Sequence, residues 1–172
     1  MKIVPLLFAS ILGLVAAGDL LAADAAKPAR VEVFFDHPEN FTDVKDRADP
    51  TETGRDEILG AIHDTIVREA AKYLPAGYGL TLVFSDIDLA GDFESWRGPQ
   101  YDSVRVVRPI YPPAFKFSYK LTDPAGQVVK RGEEGIRDLN FELRASLDHS
   151  NPLYIEKDIL REWIRNNLQG IK

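Results

Sequence analysis

Between Phe84 and Trp96 the chain places Asp86, Asp88, Asp92 and Glu94 directly after an apolar run. Clustered carboxylates can bind a cation, divide acid and base roles in a hydrolysis, or simply end a strand in water. A calcium loop fails on spacing. Asp86, Asp88, Gly91 and Asp92 fit its first, third, sixth and seventh positions, but its fifth is Ala90 and its twelfth, where a bidentate Glu belongs, is Arg97. A strand-like run also leads in where a helix is required. A hydrolase or metal-assisted enzyme built on Asp86, Asp88 and Asp92 stays open as an alternative, with no residue assigned as catalytic. The three histidines, His37, His63 and His149, fall in a loop, on the polar side of a helix and in a loop. The chain has no cysteine, which removes disulfides, thiolate metal sites and a cysteine nucleophile together. No G-x-S-x-G, H-E-x-x-H or P-loop pattern occurs. These residues imply no cofactor and no resident metal.

A second group suits recognition. Trp96, Arg97 and Tyr101 share one loop, and Tyr111 stands beside two consecutive prolines. Exposed aromatic residues and Arg are the types that anchor interfaces. With Asp86, Asp88 and Asp92 they form the candidate binding surface. The plainer reading of Trp96 is that it folds back over an open edge of the core. Lys157, Arg161 and Arg165 recur at four-residue spacing, and beside Asp158 and Glu162 they read as a solvated helix face.

The elements that must position these residues follow from hydrophobic periodicity. Val31–Phe35 reads as a first strand and residues 36 to 53 as a long polar loop. Thr53 is the expected cap of a helix, with Asp56 at its third position. Ile58, Ile62, Ile66, Ala70 and Leu74, widened by Leu59 and Tyr73, form its apolar stripe. Pro75 and Gly77 end it. From Leu80 the apolar positions are even as far as Phe84 and odd from Ile87. A regular strand would bury Asp86 and Asp88, so either a bulge near Ser85 flips the register or the strand overruns the core. On that structural reading Asp86 and Asp88 accept backbone or Arg hydrogen bonds. Val104–Arg108 reads as a third strand. Phe115, Phe117, Tyr119 and Leu121 alternate with polar residues and turn at Asp123–Gly126 into a paired strand, with Lys116 opposite Glu133 or Glu134. Ile155, Ile159, Leu160, Trp163, Ile164 and Leu168 give a closing helix. The expected class is α+β: a two-layer sandwich of a mostly antiparallel sheet, about four to five strands, with two amphipathic helices on one face.

Met1-Lys2, an apolar run to about Gly18 and small residues after it read as a signal peptide over residues 1–25, cleaved near Ala23 or Ala25. The alternative is an uncleaved N-terminal anchor. No cysteine follows the run, so a lipoprotein is excluded. Residues 26–172 are then expected as one α+β domain in the periplasm, with no integral membrane span after cleavage. Losing Lys2, Asp19 and Asp24 changes the formal net charge from −6 to −5. A mildly acidic domain is a poor partner for a phosphate backbone, so nucleic acid is not expected.

The pieces "DHPENFTD", "DIDLAG", "WRGPQYDSVRVVRPIYPP", "RGEEGIRDLNF" and "NPLYIEKDILREWI", in this order, resemble a family of bacterial secreted proteins catalogued as domain of unknown function 3016. The resemblance implies a location in the Gram-negative cell envelope and transfers no activity and no catalytic residue. The expected function is a non-enzymatic binding or accessory module whose partner is an envelope protein or a small ligand.

Overall fold

The computed structural model describes residues 27–45, 51–144 and 153–171. The expected signal peptide and His149 lie outside them. Strand β1 (Arg30–Phe35) is followed by helix α1 (Glu52–Ala70) and the long strand β2 (Gly79–Asp88). Two short strands come next, β3 (Asp92–Phe93) and β4 (Arg105–Val106). Strands β5 (Ala114–Thr122) and β6 (Val128–Arg137) form a hairpin, and helix α2 (Tyr154–Leu168) closes the order. The main sheet runs β1-β2-β5-β6. Its β1–β2 pair is parallel, because α1 carries the chain back to the starting edge, and its other two pairs are antiparallel. The fold is α+β, as the periodicity implies.

One face of the sheet carries the core. Leu80, Leu82, Phe84 and Ile87 of β2 and Phe115, Phe117 and Leu121 of β5 are buried against α1 and α2. Helix α1 contributes Leu59, Ile62, Ile66 and Ala70, and α2 buries all six residues of its expected stripe. Aromatic rings continue this packing across the sheet: Phe84 lies 4.9 Å from Phe117, and Trp163 meets Phe117 and Tyr119 edge-on at 5.0 and 5.2 Å. Each such side chain contributes about 1.5–3 kcal/mol through burial.

The parity switch in β2 is resolved by a bulge at Ser85. Phe84 pairs with Phe117 and Asp86 with Lys116, so Ser85 is the extra residue. Its insertion returns Ile87 to the buried face and turns Asp86 outward.

Three local expectations change. Helix α1 begins at Glu52 with Thr51 in the cap position, so Thr53 lies inside the helix and forms no capping box with Asp56. The strand expected over Val104–Arg108 shrinks to Arg105–Val106, which pairs with β3 in a separate two-stranded sheet. Lys116 stands opposite Gly135, because a further irregularity at Val129 shifts the register beyond the turn. The turn itself is as expected: Gly126 takes φ +80°, and Asp123 Oδ1 accepts the amides of Ala125 and Gln127.

Candidate functional site

Beyond the bulge, Asp86 is held on three sides. It accepts the Thr42 amide at 2.8 Å, the Thr42 hydroxyl at 3.1 Å and the Lys116 ammonium at 3.1 Å. Partial burial works against its charge, but these donors prevail and hold the carboxyl below its ordinary range. Asp88, two residues on, has the opposite surroundings. Burial and the nearby Asp43 carboxylate push it up, opposed by Arg137. Among the described residues no donor hydrogen-bonds to its carboxylate, which departs from the expectation for this residue.

Asp43 arrives beside Asp88 because the chain after β1 loops out and returns. The Asp43 amide donates to the Ile87 carbonyl, and the Leu89 amide donates to the Asp43 carbonyl. Arg105, from β4, clamps this return. Its guanidinium donates to both Asp43 oxygens, at 2.6 and 3.3 Å, and to the carbonyls of Gly91 and Lys45. It also lies 4.6 Å over the Phe93 ring. Gly91 turns the chain between β2 and β3 at φ +83°, and a Cβ there would stand 2.8 Å from the Val106 carbonyl oxygen.

A second clamp holds the segment between β3 and β5. Glu94 is 1% exposed, yet its carboxylate meets Arg97 at 2.9 Å and Arg108 at 3.2 Å and accepts the Tyr111 hydroxyl at 3.4 Å. Arg97 also stacks over Tyr101 at 4.5 Å. Three of the four residues expected to suit recognition, Arg97, Tyr101 and Tyr111, are therefore tied to this internal network. Trp96 stays 69% exposed, so it does not cover a core edge.

Two clefts flank the Leu89–Phe93 turn. The smaller, about 310 Å³, is polar and is lined by Asp43, Asp88, Asp92, Tyr111 and Arg137. The larger, about 520 Å³, opens between the starts of α1 and α2 and the excursion carrying β3 and β4. Ile58, Ala61, Leu89, Phe93, Val107 and Leu153 give it an apolar wall. Glu156 stands at its edge, 2% exposed, and accepts the Ala90 amide at 2.8 Å. Burial pushes its carboxyl up.

The candidate surface is thus divided. Asp88, Asp92 and Tyr111 meet at the polar cleft, whereas Asp86, Trp96, Arg97 and Tyr101 do not line it. Asp92 also turns back to accept its neighbour's amide, from Phe93 at 2.7 Å. Among the described residues no three His, Asp or Glu side chains are grouped so as to hold a metal ion. The acids beside the basic ridge on α2, Asp158 and Glu162, pair with Arg144, at 3.3 and 2.8 Å.

Sequence reasoning missed Asp43, Arg105, Glu94 and Glu156. One signal was available for Glu156, which precedes Leu160 by four residues and so falls on the apolar stripe of α2. A carboxylate on such a stripe must find an internal donor.

No curated protein and no solved structure matches the chain. A family model described as "Protein of unknown function (DUF3016)" matches residues 29–166, from the edge of β1 nearly to the end of α2, and the chain belongs to that family.

Proposed function

We propose that the protein is a periplasmic binding module of the cell envelope that takes a small, mostly apolar ligand in the larger cleft. The observation that carries this reading is the apolar wall around about 520 Å³ of open space. That volume falls within the roughly 300–1,000 Å³ typical of small-molecule sites. Two of the charged groups beside it are already engaged, Arg105 with Asp43 and the buried Glu156 with the Ala90 amide, while Lys45 and Glu57 stand exposed at the rim. A site whose less exposed charges, Arg105 and Glu156, are satisfied internally suits capture of apolar surface better than bond cleavage. The catalytic alternative on Asp86, Asp88 and Asp92 has less support. Asp86 is committed to Thr42 and Lys116, and Asp92 accepts the Phe93 amide.

The test uses an apolar fluorescent probe such as an anilinonaphthalene sulfonate. Wild type should bind it saturably. Ala61→Phe, which projects a ring into the cleft from α1, should abolish that binding while leaving the thermal midpoint close to wild type. Equal binding by a folded Ala61→Phe protein would refute the site.

The location rests on the N-terminal segment and on the family resemblance. Among the described residues no helix is long and apolar enough to cross a membrane. Periplasmic extracts should contain a chain shortened by about 23 to 25 residues. Intact mass showing the full N-terminus on the periplasmic protein would contradict export by cleavage.

A further inference from the structure

Strand β6 is the last strand of the sheet, and its outer edge is unpaired among the described residues. It is long, ten residues, and mostly exposed. An open edge of this length is a template for another strand. Its charges run Lys130-Arg131-Gly132-Glu133-Glu134, positive before the glycine and negative after it. We propose that β6 pairs antiparallel with β6 of a second copy, about a two-fold axis at Gly132.

Register selects this axis. Only alternate residues of a strand turn their amide and carbonyl toward the free edge, so a strand pairing with its own copy must oppose residues of the same parity. Each allowed register therefore centres on one residue, which faces itself. Centring on Lys130 or Arg131 opposes like cations, and centring on Glu133 or Glu134 opposes like anions. Centring on Gly132 sets Lys130 opposite the partner's Glu134 and Arg131 opposite the partner's Glu133, each twice by symmetry. Among registers centred within this stretch, it is the one in which every charge meets its opposite.

Charges placed only to guard the edge would need no such order. Nor, Lys130 apart, are they used within the chain among the described residues. Across the hairpin Arg131 stands opposite Lys120, a like charge, while Glu133 faces Ser118 and Glu134 faces Phe117. Lys130 donates to Asn167 Oδ1 at 2.7 Å, and its ammonium has further donors. Because opposed residues have the same parity, both copies keep their helices on one side of a continuous eight-stranded sheet.

Sedimentation of the mature protein, from micromolar to submillimolar loading, tests the pairing. The mass should move from one chain to two, and the dimer should loosen as salt rises. Arg131→Glu and Glu133→Arg each set like charges across the axis, and each alone should raise the dissociation constant at least about a hundredfold. Mixed in equal amounts, the two variants should dimerise again, since in the mixed pair each reversed charge faces the other and opposite signs meet at both positions. A wild type that stays monomeric, or a dimer indifferent to salt, would overturn the proposal. So would either variant dimerising as wild type does, or a mixture that fails to recover.

Discussion

The hairpin from Ala114 to Arg137 and the excursion from Leu89 to Pro113 adjoin in sequence and are held by opposite means. In β5, every second side chain enters an apolar core: Phe115 and Phe117 are almost fully buried, while Lys116 and Ser118 face water. The excursion buries Leu89, Ala90 and Phe93 at its start, but beyond them it leaves Trp96, Val104, Val107 and Ile110 exposed. It is instead fastened at two points, by the buried Glu94 with its arginines and by Arg105 on Asp43. Apolar burial is distributed and non-directional, whereas a charge clamp concentrates its effect in a few side chains. Damage to the two regions should therefore differ in kind as well as in size.

If burial carries the hairpin, Phe117→Ala should cost about 3–5 kcal/mol of global stability in denaturant melts. A cost near that of a surface substitution would mean the faces of β5 are wrongly assigned. Removing the clamp should hurt less and more locally. Glu94→Ala loses charged hydrogen bonds, but Arg97 and Arg108 are 39% and 43% exposed and can rehydrate. The expected cost is about 2–3 kcal/mol, with faster hydrogen exchange confined to residues 95–111. Exchange that speeds equally through β5 would show the excursion is not a separate unit.

The two aspartates of β2 sharpen the contrast through pH. Asp86 has a lowered folded-state pKa, so its contribution is fully present above the unfolded value, about 3.9, and is lost as pH falls through the lower folded value. Asp86→Asn should cost about 1–3 kcal/mol at neutral pH. Asp88 has a raised folded-state pKa, so its charge opposes folding at neutral pH and the penalty lifts as pH falls through that raised value. Asp88→Asn should leave stability unchanged or slightly higher at pH 7, with the difference closing in acid. Parallel pH profiles for the two variants would contradict these surroundings. The smallest effect belongs to Lys116→Ala, under about 1 kcal/mol, since its side chain is 67% exposed and its pair with Asp86 is screened.

The regions also differ in how much of them can be read from sequence. Alternation writes the hairpin directly, and the switch from even to odd apolar positions exposes the bulge at Ser85, because a regular strand would have buried two carboxylates. The register past the turn is hidden, since the two valines of "QVVK" carry no mark of the irregularity at Val129. The excursion is opaque for a stronger reason. Arg105 meets Asp43 across 62 positions, and nothing local distinguishes that arginine from a solvated one. Trp96, Arg97 and Tyr101 attract notice by residue type, yet the residue that organises the segment is Glu94, in an acidic stretch where it looks ordinary.

The parallel pairing of β1 with β2 bears on the order in which the molecule assembles. Arg30 finds Gly79 across 49 positions, whereas Thr122 and Val128 are six apart. Closing the longer loop has the larger entropic cost, and it must be met before any contact rewards it. The hairpin can therefore form early around its own turn, with β2 added antiparallel to it, while β1 docks late. Under native conditions β1 should also be the first strand to detach, with its amides exchanging ahead of those in the centre of β5.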